Sequence, residues 1–261
     1  METYDVAATI VTYRSNPDDV AAAVESFRQA ALNGYIQIVD NASPGNYAAS
    51  LAKTVDAPVL NSGANRGFGF GHNFGLRHAP PSRYYLVLNP DVVIHRGTLE
   101  SLVEFLDANR EVGLVSPRVL GPDGAQQWLN KRDPTVFDLA VRRFLPGAFR
   151  HIGWIRHRMN RYVMRDRGYH DVVAVPYVTG CFMLFRTEML RLAGPFDERF
   201  FLYLEDADIT RRLRAFARAV YYPHAAITHK WSRGSHRSLK LTWVTMQSAV
   251  RYFNKWGWKV V

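Results

Sequence analysis

Residues 84 to 92 read Tyr84-Tyr85-Leu86-Val87-Leu88-Asn89-Pro90-Asp91-Val92. Five strand-forming residues run straight into an amide, a proline and a carboxylate, so the stretch predicts a buried strand that delivers Asn89 and Asp91 to a turn at its carboxyl end. Open α/β sheets bind their ligands at that end. Pro90 fixes its own φ and restricts Asn89, which holds the two side chains on one side of a short bend. An amide and a carboxylate so placed suit a hard divalent cation, Mg2+ or Mn2+, the usual partner of a diphosphate. They suit an ordinary turn capped by Asn and Asp equally well, and the rest of the chain has to decide.

Towards the N-terminus, residues 6 to 12 form a strand and Asn16 caps a helix that has Pro17 at its first position and Asp18 and Asp19 in its first turn. Val20, Val24, Phe27 and Ala31 recur at helical spacing and give that helix, expected to end near Leu32, a face that covers a sheet. Residues 35 to 39 make a second strand ending in Asp40-Asn41-Ala42-Ser43. Strand, crossover helix and strand closing on an acid is how a nucleotide-binding half begins. A short strand at 57 to 60 then enters Asn61-Ser62-Gly63-Ala64-Asn65-Arg66-Gly67-Phe68-Gly69-Phe70-Gly71-His72-Asn73. Its glycines let backbone N–H groups approach a ligand, and Arg66 offers charge-assisted bonds to phosphate. A helix over 71 to 78 points its amino end at the same place. The segment lacks the Gly-Lys-Ser/Thr of a P-loop.

Towards the C-terminus the pattern predicts a helix over 97 to 109 and a strand over 112 to 115. From 126 to 168 periodicity fades and arginines accumulate, with Trp128, Phe137, Phe144, Phe149 and Trp154 among them. Cations mixed with aromatics serve a solvated face, a nucleic-acid surface or an anionic headgroup alike. Apolar runs at 172 to 178 and 181 to 185 flank Thr179-Gly180, where a residue without a side chain leaves room for a ligand. Glu205-Asp206-Ala207-Asp208 falls in the first turn of a further helix, where carboxylates complement the dipole. Short strands at 219 to 222 and 225 to 229 end in His229-Lys230-Trp231. A terminal helix over 239 to 255 carries Leu239, Trp243, Met246, Val250 and Phe253 on one stripe, followed by Trp256 and Trp258 among lysines.

Composition sets the limits. The 261 residues, 48% of them hydrophobic, suffice for a core and exclude a disordered chain. The net charge of +10 demands an anionic partner without saying which. A single cysteine, Cys181, excludes an internal disulfide and a cysteine zinc cluster, and its apolar neighbours make it core rather than nucleophile. With no leader pattern and no spanning segment, the expectation is a cytoplasmic protein able to lie on a membrane.

Val11-Thr12-Tyr13, Asp40-Asn41, Asn65-Arg66-Gly67-Phe68-Gly69, Leu88-Asn89-Pro90-Asp91, Thr179-Gly180-Cys181-Phe182-Met183-Leu184 and Phe201-Leu202-Tyr203-Leu204-Glu205-Asp206-Ala207-Asp208 stand in one order. That series resembles the family 2 glycosyltransferases of the GT-A fold over nearly the whole chain. Gly67-Phe68-Gly69-Phe70-Gly71-His72-Asn73, the Asn130-Lys131-Arg132-Asp133-Pro134 segment and the aromatic, basic tail are most similar to rhamnosyltransferases that act on N-acetylglucosaminyl-diphospho-polyprenol. The resemblance implies a Rossmann-like mixed sheet flanked by helices over residues 1–238, with a nucleotide-sugar half at 1–120 and an acceptor half at 121–238. An amphipathic helical extension follows at 239–261.

By the same resemblance, Thr12, Tyr13, Asp40, Asn41, Asn65, Arg66, Gly67, Gly69, Asn73, Asn89 and Asp91 bind the sugar nucleotide. Asp91, Asn89 and His229 hold the metal, although Asn89 replaces the aspartate of the family motif and is a weaker ligand. Asp206 is the expected base with Glu205 as alternative, Asp208 steadies its helix or binds Arg211 or Arg212, and Gly180 and Trp231 face the acceptor. The implied partners are a dTDP-sugar donor, dTDP-L-rhamnose above all, a polyprenyl-diphosphate-linked saccharide and an anionic membrane surface on the cytoplasmic face of the inner membrane. Nucleic acid is not expected as a partner, and self-association is left open.

Overall fold

A computed structural model describes residues 3–146, 152–230 and 239–261. The expected first strand is β1 (Tyr4–Thr12), and Asn16 caps α1 (Pro17–Arg28) by accepting the Asp18 backbone N–H. β2 (Gly34–Asp40), α2 (Tyr47–Leu51), β3 (Val59–Asn61) and α3 (Phe68–His78) follow. Then come β4 (Ser82–Leu88), β5 (Val92–Ile94), α4 (Thr98–Ala108) and β6 (Val112–Leu120). The segment without periodicity holds α5 (Val136–Phe144) and α6 (Gly153–Tyr162). β7 (Val173–Ala174), β8 (Phe182–Arg186), α7 (Thr187–Ala193), α8 (Glu205–Leu213), β9 (Arg218–His229) and α9 (Leu239–Trp256) complete the described elements.

These strands form one mixed sheet in the order β3-β2-β1-β4-β8-β6-β9-β5, with β7 added along β9. β3, β2, β1 and β4 run parallel, and β8 enters antiparallel to both β4 and β6. Alternation along β1 sends Val6, Ala8 and Ile10 into a core shared with Val20, Val24 and Phe27 of α1 and Leu99, Leu102 and Leu106 of α4. Ala7 faces the other way, with Tyr85, Val87, Met183 and Phe185, towards Leu190 of α7 and Ile209 and Leu213 of α8. Helices thus cover both faces, the mixed α/β architecture expected. All four parallel strands end at one edge, which is where the site must lie.

Two expectations need correction. The run 172 to 178 contributes a strand of only two residues, because the chain after Ala174 turns away to pair Tyr177 with Lys131. The two final strands are one, β9, interrupted around Pro223, where its register against β6 jumps from Pro117–Tyr222 to Arg118–Ala226. α9, the expected C-terminal helix, packs against the start of α8 and the turn before it. Tyr252 and Phe253 are buried against Phe200, Leu204 and Ala207, and Ser248 donates to the Leu202 carbonyl at 2.8 Å.

His72 lies within α3, fully buried, edge-on to the Phe68 ring at 4.4 Å, with neither ring nitrogen hydrogen-bonded. Burial pushes its pKa down from 6.5 to about 3. The unfolded chain therefore binds a proton in this range that the folded chain refuses, and stability falls as pH drops from 6.5 towards 3. The slope is at most about 1.4 kcal/mol per pH unit. Urea midpoints taken across that window should show a shallower acid loss for His72→Leu than for wild type. Parallel slopes would mean that the imidazole contributes nothing to acid unfolding.

Candidate active site

At the end of β1, Thr12 is buried and its hydroxyl meets the Tyr47 hydroxyl at 3.0 Å, while Tyr13 and Arg14 face solvent. Asp40 ends β2 fully buried, with its carboxylate fastened to Ser43, accepting from the backbone N–H at 3.0 Å and from Oγ at 2.6 Å. Asp40 thereby shapes the turn, and the exposed side chains beside it are Tyr13 and Arg14. Asn41 donates to the Gly67 carbonyl at 2.9 Å and accepts from Ser62 Oγ at 3.1 Å, tying the second strand end to the glycine loop. Arg14 and Ala42 both have φ near +56°, a left-handed backbone that non-glycine residues avoid and that concentrates at ligand sites.

The glycine loop packs tightly. Gly67 has φ +105°, and a Cβ there would lie 2.1 Å from the Phe201 carbonyl oxygen, so only glycine fits. Gly69 presses against Phe196 in the same way. Asn65 Oδ1 accepts from the Gly67 N–H at 3.3 Å. Arg66 reaches outward, over the Phe70 ring at 4.8 Å and 3.6 Å from Glu198. Asn73 is buried instead, its amide used on the Phe196 backbone and Glu198. Its place is to clamp the 196–198 turn onto α3.

Asn89 is held by a bond from its backbone N–H to the Cys181 carbonyl at 2.9 Å. β5 pairs antiparallel with β9, Val92 opposite His229, so Asp91 and His229 come together although they are far apart in the chain. His229 Nε2 lies 3.5 Å from Asp91 Oδ1. Gln127 decides which nitrogen is protonated in the neutral ring. Its Nε2 must donate to the His229 carbonyl at 2.7 Å, so its Oε1 faces Nδ1 at 3.2 Å, and Nδ1 carries the hydrogen. The Nε2 lone pair then faces a carboxylate oxygen, an arrangement that a shared cation completes. The donor set therefore fits a divalent ion. Among the described residues no third His, Cys, Asp or Glu joins the pair.

Across from this pair lies the start of α8. Tyr203 and Leu204 are consecutive left-handed residues, φ +70° and +69°, and they turn Glu205 and Asp206 inward. Asp206 accepts three hydrogen bonds, from Tyr177 O–H at 3.0 Å, the Gly180 N–H at 2.9 Å and the Ala207 N–H at 2.9 Å. Gly180 thus holds the carboxylate, and the room that its missing side chain leaves is taken up by the Phe68 ring, which a Cβ would meet at 3.3 Å. Lys131 is buried, donates to the Tyr177 hydroxyl at 3.3 Å and sits 4.3 Å from that ring's centre. Because an ammonium only donates, the single Tyr177 proton is left for Asp206. Burial, with Arg142 adding to it, brings the Lys131 pKa down to about 8. Glu205 is buried with Oε2 unbonded, and burial followed by the Asp206 charge pushes its pKa well up.

Asp208 serves its helix. It binds Arg212 at 2.9 Å, and Lys255 and Trp256 of α9 reach it at 2.7 and 2.8 Å. Cys181 is buried, its thiol pushed up to about 12, consistent with core. Trp231 lies outside the described residues. The sequence reading overlooked Gln127, Lys131 as a buried cation, and Tyr177. The only prior signal was the Asn130-Lys131-Arg132-Asp133-Pro134 run.

The profile of glycosyl transferase family 2 matches residues 8–192. An N-acetylglucosaminyl-diphospho-decaprenol L-rhamnosyltransferase of Mycobacterium tuberculosis is 26% identical over 214 residues, 77% of this chain and 68% of that protein. The rhamnosyltransferase WbbL of Escherichia coli is 26% identical over 66% of this chain and 64% of its own length. In three dimensions the chain is similar to a mannosyltransferase from Pyrobaculum calidifontis solved with GDP-Man and Mn2+, with TM-score 0.63, 18% identity, and coverage of 97% of this chain and 64% of that one. It is equally similar to GalNAc-T7 solved with UDP, GalNAc and Mn2+, with TM-score 0.63, 12% identity, and coverage of 89% and 44%. With the GT-A arrangement of its sheet and a profile match across more than half its length, the chain belongs to glycosyltransferase family 2.

Proposed function

We propose that this glycosyltransferase moves L-rhamnose from dTDP-L-rhamnose to a GlcNAc-diphospho-polyprenol, with inversion, in the assembly of a cell-surface polysaccharide. The observation that carries the reading is the presence, at one end of the sheet, of a carboxylate fixed by three donors and of an Asp–His pair 3.5 Å apart. The names of the mycobacterial and E. coli relatives support the choice of sugar and acceptor.

Asp206 takes the proton of an acceptor hydroxyl as that oxygen bonds to the anomeric carbon, and the bond from that carbon to the diphosphate oxygen breaks on the opposite face. Tyr177 and the Gly180 and Ala207 N–H groups keep the carboxylate in place throughout. Arg66, exposed at the rim, is the cation of the donor side. Asp91 and His229, with Asn89 beside them, would hold Mg2+ or Mn2+, which when bound stabilises the charge of the departing diphosphate. Tyr13 and Arg14 flank the base, and Thr12, Asp40 and Asn41 hold the backbone they stand on.

The acceptor reading places the enzyme on the cytoplasmic face of a membrane. Among the described residues no helix is long and apolar enough to cross one. Leu239, Trp243, Met246 and Val250 form an exposed stripe on α9, and Phe144 and Trp154 are exposed on the basic α5 and α6 region. This differs from a docking role for Trp256, whose indole is held by Asp208. Arg158 is likewise held by the buried Asp138, and Arg143 by Thr242. Transfer of labelled rhamnose to the lipid acceptor in anionic vesicles tests both readings. The expected result is transfer from dTDP-L-rhamnose alone among nucleotide sugars, weakened by ~0.5 M salt as the Debye length shrinks, and lowered by Trp243→Ser. Preference for another donor overturns the sugar, and indifference to salt and to Trp243→Ser overturns the membrane face.

A further inference from the structure

The segment from Gln127 to Lys131 links the two halves of the site. Gln127 holds His229, the Leu129 carbonyl accepts from Thr179 Oγ1 at 2.6 Å next to Gly180, and Lys131 bonds Tyr177 beside Asp206. Along this segment opens a cavity of about 640 Å3. Among the described residues, three cations line it, Arg142 from α5, Arg165 from the turn after α6, and Lys230 after β9, against the single carboxylate of Asp123. Lys131, buried behind it, already feels Arg142 as a like charge.

Cations gathered around one cavity add their fields there, and an anion placed among them is attracted by all of them. Lys230 has a partner in Asp19, yet still faces the cavity from beside Asp91, whose carbonyl accepts its backbone N–H at 3.1 Å. The Arg165 guanidinium carbon lies over the Trp128 ring, 4.5 Å from its centre. Its Nη1 donates to Asn160 Oδ1 at the long distance of 3.5 Å, and a guanidinium has further N–H groups for charge-assisted bonds to a phosphate group. Trp128 is itself braced edge-on against Tyr169 at 4.8 Å.

A cavity of this size takes more than one phosphate, and a diphosphate reaches this enzyme from two sources, the nucleotide sugar and the acceptor. The lining decides between them. Among the described residues, those that line it come from 121–165 or are Lys230, and none comes from the strand ends and glycine loop at 12–15, 40–43 and 61–71 that frame the donor. We propose that the cavity walled by Trp128, Arg142, Arg165 and Lys230 is a subsite for the diphosphate of the acceptor, placing the acceptor saccharide between it and Asp206. The assignment rests on the transferase reading above and adds the group by which the acceptor is recognised.

Two arms of one experiment test it on the full chain. In the first, Arg165→Gln and Arg165→Lys are assayed with GlcNAc-diphospho-farnesol and with octyl N-acetylglucosaminide, which has no diphosphate. The expected result is a drop of roughly tenfold or more in kcat/KM for the diphosphate acceptor, the scale of one lost charge-assisted bond. Arg165→Lys should recover part of it, and both the neutral acceptor and the donor KM should be unchanged. An equal loss on both acceptors, or a rise in donor KM alone, overturns the subsite. The second arm needs no turnover. Calorimetry with farnesyl diphosphate should show binding to wild type and at least tenfold weaker binding to Arg165→Gln, with farnesyl monophosphate weaker than the diphosphate on wild type. Absent or unaltered binding overturns the subsite even where transfer succeeds. Binding without any transfer from dTDP-L-rhamnose would overturn the proposed reaction and keep the subsite.

Discussion

Asp206→Asn is expected to lower turnover by roughly 10²-fold or more, the usual scale for losing a general base, while donor affinity stays within about twofold. The substitution keeps an oxygen for Tyr177 and Ala207 but turns an amide N–H2 towards the Gly180 N–H, two donors face to face. A stability cost of about 1–3 kcal/mol follows from that mismatch, so the melting temperature is measured alongside turnover. Glu205→Gln serves as the control. Its pKa is pushed well up by burial and by the Asp206 charge, which disfavours its acting as a base, so the amide should cost far less turnover. Turnover of Asp206→Asn within threefold of wild type, with Glu205→Gln inactive, would exchange the two roles.

Asp91→Ala should remove the dependence of donor binding on a divalent cation. In wild type, chelation is expected to weaken nucleotide-sugar binding at least tenfold; in the variant, binding starts weak and chelation changes nothing further. Gln127→Leu probes the same pair from behind. It frees the His229 ring from the contact that puts its hydrogen on Nδ1, and loss of such a partner typically costs 10–100-fold in metal affinity. Titration of Mn2+ into the three proteins by calorimetry reads this without turnover. A loss of donor affinity in Asp91→Ala that is the same with and without chelator would make Asp91 a structural residue.

What was legible from sequence was local. The strand from Tyr84 to Leu88 and the turn at Asn89-Pro90-Asp91 follow from residue type alone, as do the cap at Asn16 and the amphipathic face of α1. The basic segment was illegible because α5 and α6 are only nine and ten residues long and bury few apolar side chains, Val141 in one and Ile155 and Tyr162 in the other, too little chain to mark a period. The two strands read at the end of the chain merged into β9 because Pro223 interrupts the ladder without ending the sheet.

The chain's order of residues by itself determined the parallel half of the sheet, the glycine loop whose Gly67 admits no Cβ, and the carboxylates available for chemistry, since each depends on neighbours a few positions apart. Only the tertiary structure decided what those groups do. Asp40 and Asn73, polar and suggestive in the sequence, turn out to be fastened to Ser43 and to the 196–198 turn. Asp91 acquires His229 because β5 pairs with β9, and Asp206 acquires Tyr177 and Lys131 because the chain after Ala174 pairs with the segment at 131. Hydrogen bonds and charges act over a few ångströms, so a residue's chemistry is set by whatever the fold brings within that distance, and sequence separation carries no trace of it.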